Sequence, residues 1–215
     1  MTRSVVVTGA GSGLGAGIAA AAAGEGWVVG TLDRDGESAE RVAHEIGAGA
    51  VPLVADTTDE AEVHAALDTF ASVTGGSATD GVVCNAGIVR FGPLATLSVA
   101  DWRSVVDVNL TGTFVTARAV AARMTEAGTG GAIVTVTSMN GVAAGPNAGA
   151  YGATKAGVAL LTQQMALEWG PHQIRCNAVA PGLIDAGMSE PIYADAAIRE
   201  LRSGRVPLGL SLIHI

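Results

Sequence analysis

Positive charge is scarce in this sequence. Lysine occurs once, at Lys155, among 12 basic side chains facing 20 acidic ones, and the formal net charge is −8. Phosphate backbones and anionic membranes select basic faces, so neither nucleic acid nor membrane is expected as a partner. Cysteine is almost absent too. Cys84 and Cys176 sit in apolar runs, VVCN and IRCN, with no CxxC pattern, which reads as two buried free thiols. His44, His64, His172 and His214 show no ligand spacing, and no metal is expected. No apolar run approaches the ~18 residues of a membrane span. The opening MTRSVVVTG is too short for a secretory leader, and the cytoplasm is the expected compartment. Linkers, repeats and low-complexity blocks are lacking as well.

What is present is apolar and rich in glycine. Hydrophobic residues make up 49% of 215 positions and charged ones 15%, with 30 glycines, a globular composition that can hide roughly 70% of its unfolded surface. Short Val/Ile-rich runs alternate with Ala-rich stretches. Strands are expected near 4–8, 27–32, 50–55, 80–84, 132–137 and 173–180. Helices are expected near 13–23, 37–46, 59–73, 101–125 and 152–169. Capping-box patterns run from Thr57 to Glu60 and from Ser98 to Asp101. Continuous apolar strands suit a parallel sheet covered on both faces, and the alternation predicts an α/β doubly wound fold in a single domain.

The first strand runs into TGAGSGLG (8–15), where Gly9, Gly13 and Gly15 follow GxxxGxG spacing. The chain must turn sharply there from strand to helix, and a Cβ would keep a pyrophosphate from the backbone amides. The helix N-terminus adds partial positive charge. The second strand leads to Asp33, eighteen residues beyond Gly15. A carboxylate there accepts hydrogen bonds from the adenosine ribose and repels a 2′-phosphate. Ser12 offers no cation. NAD is therefore favoured over NADP, with Arg34 beside the acid as the one feature suited to a phosphate.

Tyr151 and Lys155 stand four apart in YGATK, on one face of a predicted helix. A phenol ionises near ~10 when unperturbed, and a neighbouring ammonium should lower that value, making the pair a proton donor and acceptor for alcohol/ketone chemistry. The sole lysine of the chain occupies this position, where a guanidinium's planar fork would not fit. Ser138 ends the fifth strand, at the sheet edge where ligands of open α/β folds bind; a serine there is equally an ordinary strand end. Asn109, in VNLTG, lies mid-helix, where asparagine is a poor helix former.

Taken together, TGAGSGLG (8–15), Asp56, NAG (85–87), Asn109, Ser138, YGATK (151–155) and NAVAPG (177–182) resemble the short-chain dehydrogenase/reductase family in order and spacing. The resemblance implies a Rossmann-like fold and hydride transfer between a nicotinamide cofactor and an alcohol carbon. Tyr151 would be the general acid/base and Ser138 would position the substrate oxygen. Lys155 would hold the nicotinamide ribose, and Asn109 would hold a relay water. Gly9, Ser12, Gly13, Leu14 and Gly15 would cradle the cofactor's phosphates, with Asp33 and Arg34 at its ribose. Asp56 and Thr57 would contact the adenine, and Asn85, Ala86 and Gly87 would line the adenosine side. Pro181, Gly182 and Ile184 would flank the nicotinamide. The substrate would meet Ser138, Asn140, Asn147 and Met188, beside a rim that includes Arg90, Phe91 and Val142, while Tyr193 suits lid packing better than substrate contact.

The resemblance also implies a homodimer or homotetramer built on the helices of Asn109 and Tyr151, with Ala117, Ala121 and Ala159 facing outward. Two readings compete with an NAD-dependent alcohol dehydrogenase: an NADPH-dependent 3-oxoacyl-thioester reductase, and a non-catalytic nucleotide sensor. The sequence departs from the family in two places. Ala186 stands where a threonine is common, with Ser189 nearby. After RVPLG (205–209), where the family adds a helix, a seventh strand and a Gly-rich tail, this chain closes on LSLIHI (210–215). The expectation is a domain over 1–209 with six strands, a missing seventh, a non-native or truncated tail, and an uncovered edge at the sixth strand.

Overall fold

Val5, Val6 and Val7 are each nearly inaccessible to solvent, although successive strand side chains point to opposite faces. The strand they form must therefore be covered on both sides. In the computed structural model, which describes residues 2–76, 78–189 and 193–204, six strands do this: β1 Ser4–Thr8, β2 Val28–Asp33, β3 Ala50–Val54, β4 Gly81–Cys84, β5 Gly131–Val136 and β6 Ile174–Val179. Their order is β3-β2-β1-β4-β5-β6 and every pairing is parallel. This is the doubly wound, Rossmann-like architecture that the sequence predicts.

The helices are α1 Gly13–Gly24, α2 Gly36–Ile46, α3 Glu60–Thr74, α4 Val99–Val106, α5 Gly112–Ala127, α6 Tyr151–Trp169 and α7 Ala196–Ser203. On one face, Val5, Val7 and Val29 pack with Ala19 and Ile18 of α1 and Ile46 of α2. On the other, Val6, Leu32, Val82 and Ile133 meet Val63, Leu67 and Phe70 of α3, Val120 and Met124 of α5, and Met165 of α6. Pro52 lies on β3, an edge strand, where a missing N–H is tolerated.

Three local expectations need correction. The cap of α3 is Asp59, whose carboxylate accepts the N–H groups of Ala61 and Glu62 at 2.8 and 3.1 Å. Thr57 is instead buried, and a Cβ on Gly112 would lie 2.7 Å from its Oγ1. The helix expected over 101–125 is broken by a π turn, Asp107–Thr111, between α4 and α5. Ala117 and Ala121 are buried in the core rather than turned outward, because they lie on the side of α5 that faces the sheet. The cap at Ser98 is as read: its Oγ accepts the Asp101 N–H at 3.0 Å and donates to the Asp101 carboxylate at 2.7 Å.

Among the described residues β6 is a sheet edge, and no helix is long and apolar enough to cross a membrane. The tail expected at 210–215, with the RVPLG run before it, lies outside the described residues.

Phe70 is among the largest fully buried side chains. Phe70→Ala should lower stability by about 3–5 kcal/mol, read as a fall in the urea midpoint at an unchanged slope; a midpoint within error of the parent would contradict this account of the core.

Candidate active site

The chain reverses its strand order between β1 and β4, and a crevice opens there beyond the strands' carboxyl ends. Hydrogen bonds seal its floor. Thr8 Oγ1 accepts the N–H groups of Asn85 and Ala86, both at 3.0 Å, while the Asn85 amide donates to the carbonyls of Thr8 and Gly9 at 3.0 and 3.2 Å. The backbones are so close that a Cβ on Gly15 would fall 2.1 Å from the Gly9 carbonyl oxygen, and one on Gly9 (φ +65°) would fall 2.8 Å from the Ala86 Cα. Only glycine fits either position. The first-turn amides of α1 lack helical partners and stand at a wall lined by Ser12, Gly13 and Leu14, an arrangement suited to a pyrophosphate.

The resulting cleft has a volume of about 340 Å³, and every residue assigned above to the cofactor lines it. At one end stand Asp33 and Arg34. The Asp33 carboxylate accepts the Gly11 N–H at 2.9 Å through one oxygen and the Asp35 N–H at 3.1 Å through the other. A carboxylate has about four acceptor sites, so sites remain for ribose hydroxyls. Asp56 is held below the usual carboxylate range, first by the Thr58 backbone N–H, with the Thr58 hydroxyl and the Arg34 charge adding to it. The glycine cradle, the helix N-terminus and the acid at the second strand fit a nicotinamide dinucleotide.

At the other end stand Ser138, Tyr151 and Lys155. Tyr151 opens α6 and Lys155 follows one turn later, with its Nζ 5.6 Å from the Tyr151 ring centre. Nζ donates to the Val136 carbonyl at 2.6 Å. Burial lowers the Lys155 ammonium to about 8, with Cys84 acting in the opposite direction. Burial also raises the Tyr151 phenol, with hydrogen bonding from Ser138 opposing it. This corrects the sequence reading, in which the ammonium lowers the phenol. Lysine meets the ring and the β5 carbonyl, so desolvation dominates at Tyr151. Cys84 is pushed up to about 12 by burial, which keeps it an inert thiol.

Asn109 is fully buried and does not line the cleft. Its amide donates to the Ile88 carbonyl at 2.9 Å and to Thr154 Oγ1 at 3.2 Å, and its oxygen accepts the Ile88 N–H at 2.8 Å. Both amide hydrogens are thus bound within the protein. The side chain ties the loop after β4 to the residue before Lys155, and the π turn is the device that seats it there.

The substrate set divides. Ser138 and Met188 line the cleft; Asn140, Asn147 and Tyr193 do not. Asn140 gives its backbone N–H to Ser138 Oγ at 3.1 Å, fixing the serine through main chain alone. Asn147 takes a left-handed conformation (φ +57°), and its carbonyl accepts the Gly92 N–H at 2.9 Å. Tyr193 is 1% exposed, with the guanidinium groups of Arg199 and Arg202 5.5 and 5.0 Å from its ring centre. Ala186 and Ser189 both reach the cleft. Ile88, Val108 and Val136 also line it unforeseen, since apolar residues at strand and helix ends carry no signal that separates a wall from a core.

The family described as short chain dehydrogenase matches residues 3–197. A curated relative from Xanthobacter autotrophicus, named inactive 2-(S)-hydroxypropyl-CoM dehydrogenase 2, is 40% identical over 185 residues, which are 84% of this chain and 79% of the relative. A 3-ketoacyl-(acyl-carrier-protein) reductase from Brucella melitensis, solved with NADH, superposes with a TM-score of 0.90 at 31% identity over 99% of this chain and 85% of that one. A gluconate 5-dehydrogenase from Burkholderia cenocepacia, solved with NADP and tartrate, also scores 0.90, at 34% identity over 99% and 83%.

Lowering Lys155 from 10.5 to about 8 corresponds to about 3 kcal/mol against the folded state at neutral pH. Lys155→Met should therefore raise the melting temperature of the ligand-free protein by about 6–12 °C, at ~2–4 °C per kcal/mol for a chain of this size. Between about pH 8 and 10.5 the unfolded lysine holds a proton that the folded one has lost, so the parent gains stability as pH rises. The gap between variant and parent should narrow across that window. Calorimetry showing a gap independent of pH, or a less stable variant, would refute the assignment.

Proposed function

The chain belongs to the short-chain dehydrogenase family, and on that footing we propose that it exchanges a hydride between NAD(H) and a secondary alcohol or ketone. The observation that carries this reading is one cleft with Asp33 beside the glycine loop at one end and Ser138, Tyr151 and Lys155 at the other. Bound nicotinamide supplies the hydride chemistry; the rest falls to residues of this chain. Ser138 holds the substrate oxygen. Tyr151 gives that oxygen its phenolic proton in reduction and takes one from the hydroxyl in oxidation. Lys155, anchored to Val136, offers its remaining protons to the nicotinamide ribose. A phenol raised by burial is protonated at neutral pH, so oxidation should accelerate as pH rises while reduction does not.

Asp33 supports NAD over NADP, because a carboxylate repels a 2′-phosphate. Arg34, which also lines the cleft, is the observation behind the second reading, an NADPH-dependent reductase of 3-oxoacyl thioesters. The cleft that holds Tyr151 also presents Ile88, Val108, Ile184 and Met188, and among its described lining residues Lys155 is the only cation besides Arg34. This favours a substrate that is apolar and uncharged next to the reacting carbon. Exposed Phe114 on α5 and Leu160 and Leu167 on α6 support a homo-oligomer through those helices; sedimentation as a monomer at micromolar concentration would count against it.

Titration with NADH and NADPH, followed by nicotinamide fluorescence, tests the cofactor. NADH should bind more tightly, and Asp33→Asn should shift the preference toward NADPH at least about tenfold, the scale of one charge interaction at close range. Tighter NADPH binding by the parent would replace the first reading with the second. Tyr151→Phe should lose turnover and keep NADH binding; a parent that binds NADH but turns over no alcohol or ketone would point to a nucleotide sensor.

A further inference from the structure

The two peptides that meet at Gly11 in the phosphate loop are each held by a side chain. Gly11 is buried between Asp33, whose carboxylate takes its N–H at 2.9 Å, and Arg41 of α2, which donates to its carbonyl at 2.7 Å. A second guanidinium nitrogen of Arg41 is bound to Glu45, one turn further along α2, at 3.2 Å. The fit is tight: a Cβ on Gly11 would lie 2.7 Å from the Ser38 Cβ and 2.9 Å from Asp33 Oδ2. Arg41 does not line the cleft and belongs to none of the motifs recognised in the sequence.

We propose that Arg41 is a positioning residue for dinucleotide binding, acting by locking the Gly11–Ser12 peptide. Glycine has access to φ of either sign, so a loop with Gly9, Gly11 and Gly13 can flip its peptides at little cost. In a trans peptide the carbonyl of one residue and the N–H of the next point in opposite directions. With the Gly11 carbonyl turned toward α2, the Ser12 N–H points away from α2, on the side where Ser12 lines the cleft. Arg41 thereby presets an amide for the cofactor's phosphates without touching them. Asp33 holds the other side of Gly11, so the acid that selects the ribose also orders the loop. This inference rests on the dinucleotide reading above.

The test uses the full chain and two ligands, NADH by fluorescence and ADP-ribose by calorimetry, with NADPH by fluorescence as a control. Arg41 is about half exposed, with 54% of its side chain accessible, so replacing it opens no core. Arg41→Met should weaken both ligands about tenfold, the scale of a hydrogen bond with one charged partner. Arg41→Lys keeps a charged donor and should recover most of that loss. Parent-like affinity in Arg41→Met would overturn the proposal. So would a loss confined to NADPH, which would make Arg41 a 2′-phosphate ligand, or a lysine variant no better than the methionine one, which would leave a structural role alone. A parent that binds neither NADH nor NADPH would overturn the dinucleotide reading itself, and the proposal with it.

Discussion

The site depends on how closely the carboxyl ends of β1 and β4 approach each other. Neighbouring parallel strands, with Val7 opposite Val83, bring Thr8 within hydrogen-bonding reach of Asn85, and the bonds between them pull the glycine loop against the NAG segment. Without that tie the loop would have no fixed edge. α1 could not present its N-terminus to the crevice, and nothing would set the distance from the adenosine end to the catalytic end. The requirement for glycine follows from the approach, because at Gly9 and Gly15 the space a Cβ needs is taken by backbone. The conformational freedom of glycine is then a liability, which Asn85, Asp33 and Arg41 restrain from three directions.

A second tension lies in the electrostatics at the catalytic end. A dehydrogenase of this kind needs an ammonium next to a phenol, shielded from water, and shielding destabilises the ammonium. The sequence places its single lysine there, 3% exposed and bonded to a strand carbonyl. The site thus spends stability on a charge that no acid among the described residues compensates, and buried ion pairs would be no remedy, since a carboxylate at the same depth would bring its own desolvation penalty. On the dinucleotide reading proposed above, ribose hydroxyls accepting from Nζ would relieve part of this strain and link binding to stability.

What was legible in the sequence was whatever leaves a local signature. The strand–helix alternation, the glycine spacing, Asp33 and the Tyr151/Lys155 pair depend on contacts set within a few residues or by one βαβ unit, and the structure gathers them in one cleft. The misreadings share a different cause. Thr57 matched a capping box, but Asp59, one turn position better placed, won the cap. Ala117 and Ala121 look the same from sequence whichever way they face, and the π turn at Asn109 rotated the helix beyond what a regular period predicts. Asn140 and Asn147 serve through backbone groups, which no side chain announces. Arg41 went unnoticed because its partner, a carbonyl thirty residues earlier in the chain, is specified by tertiary packing of α2 on the loop.

The double duty proposed here for Asp33 bears on how such a protein could change its cofactor. Acquiring NADP specificity is commonly framed as removing one negative charge and adding a positive one, and Arg34 already supplies the second half. Here, however, the carboxylate is also the acceptor for the Gly11 N–H. A small residue at 33 would remove the repulsion and at the same moment free the loop peptide, weakening both dinucleotides together. An amide at 33 keeps a carbonyl oxygen for Gly11 while shedding the charge. The route between cofactors is therefore narrower than charge alone implies, and it passes through residues that preserve the loop's hydrogen bond.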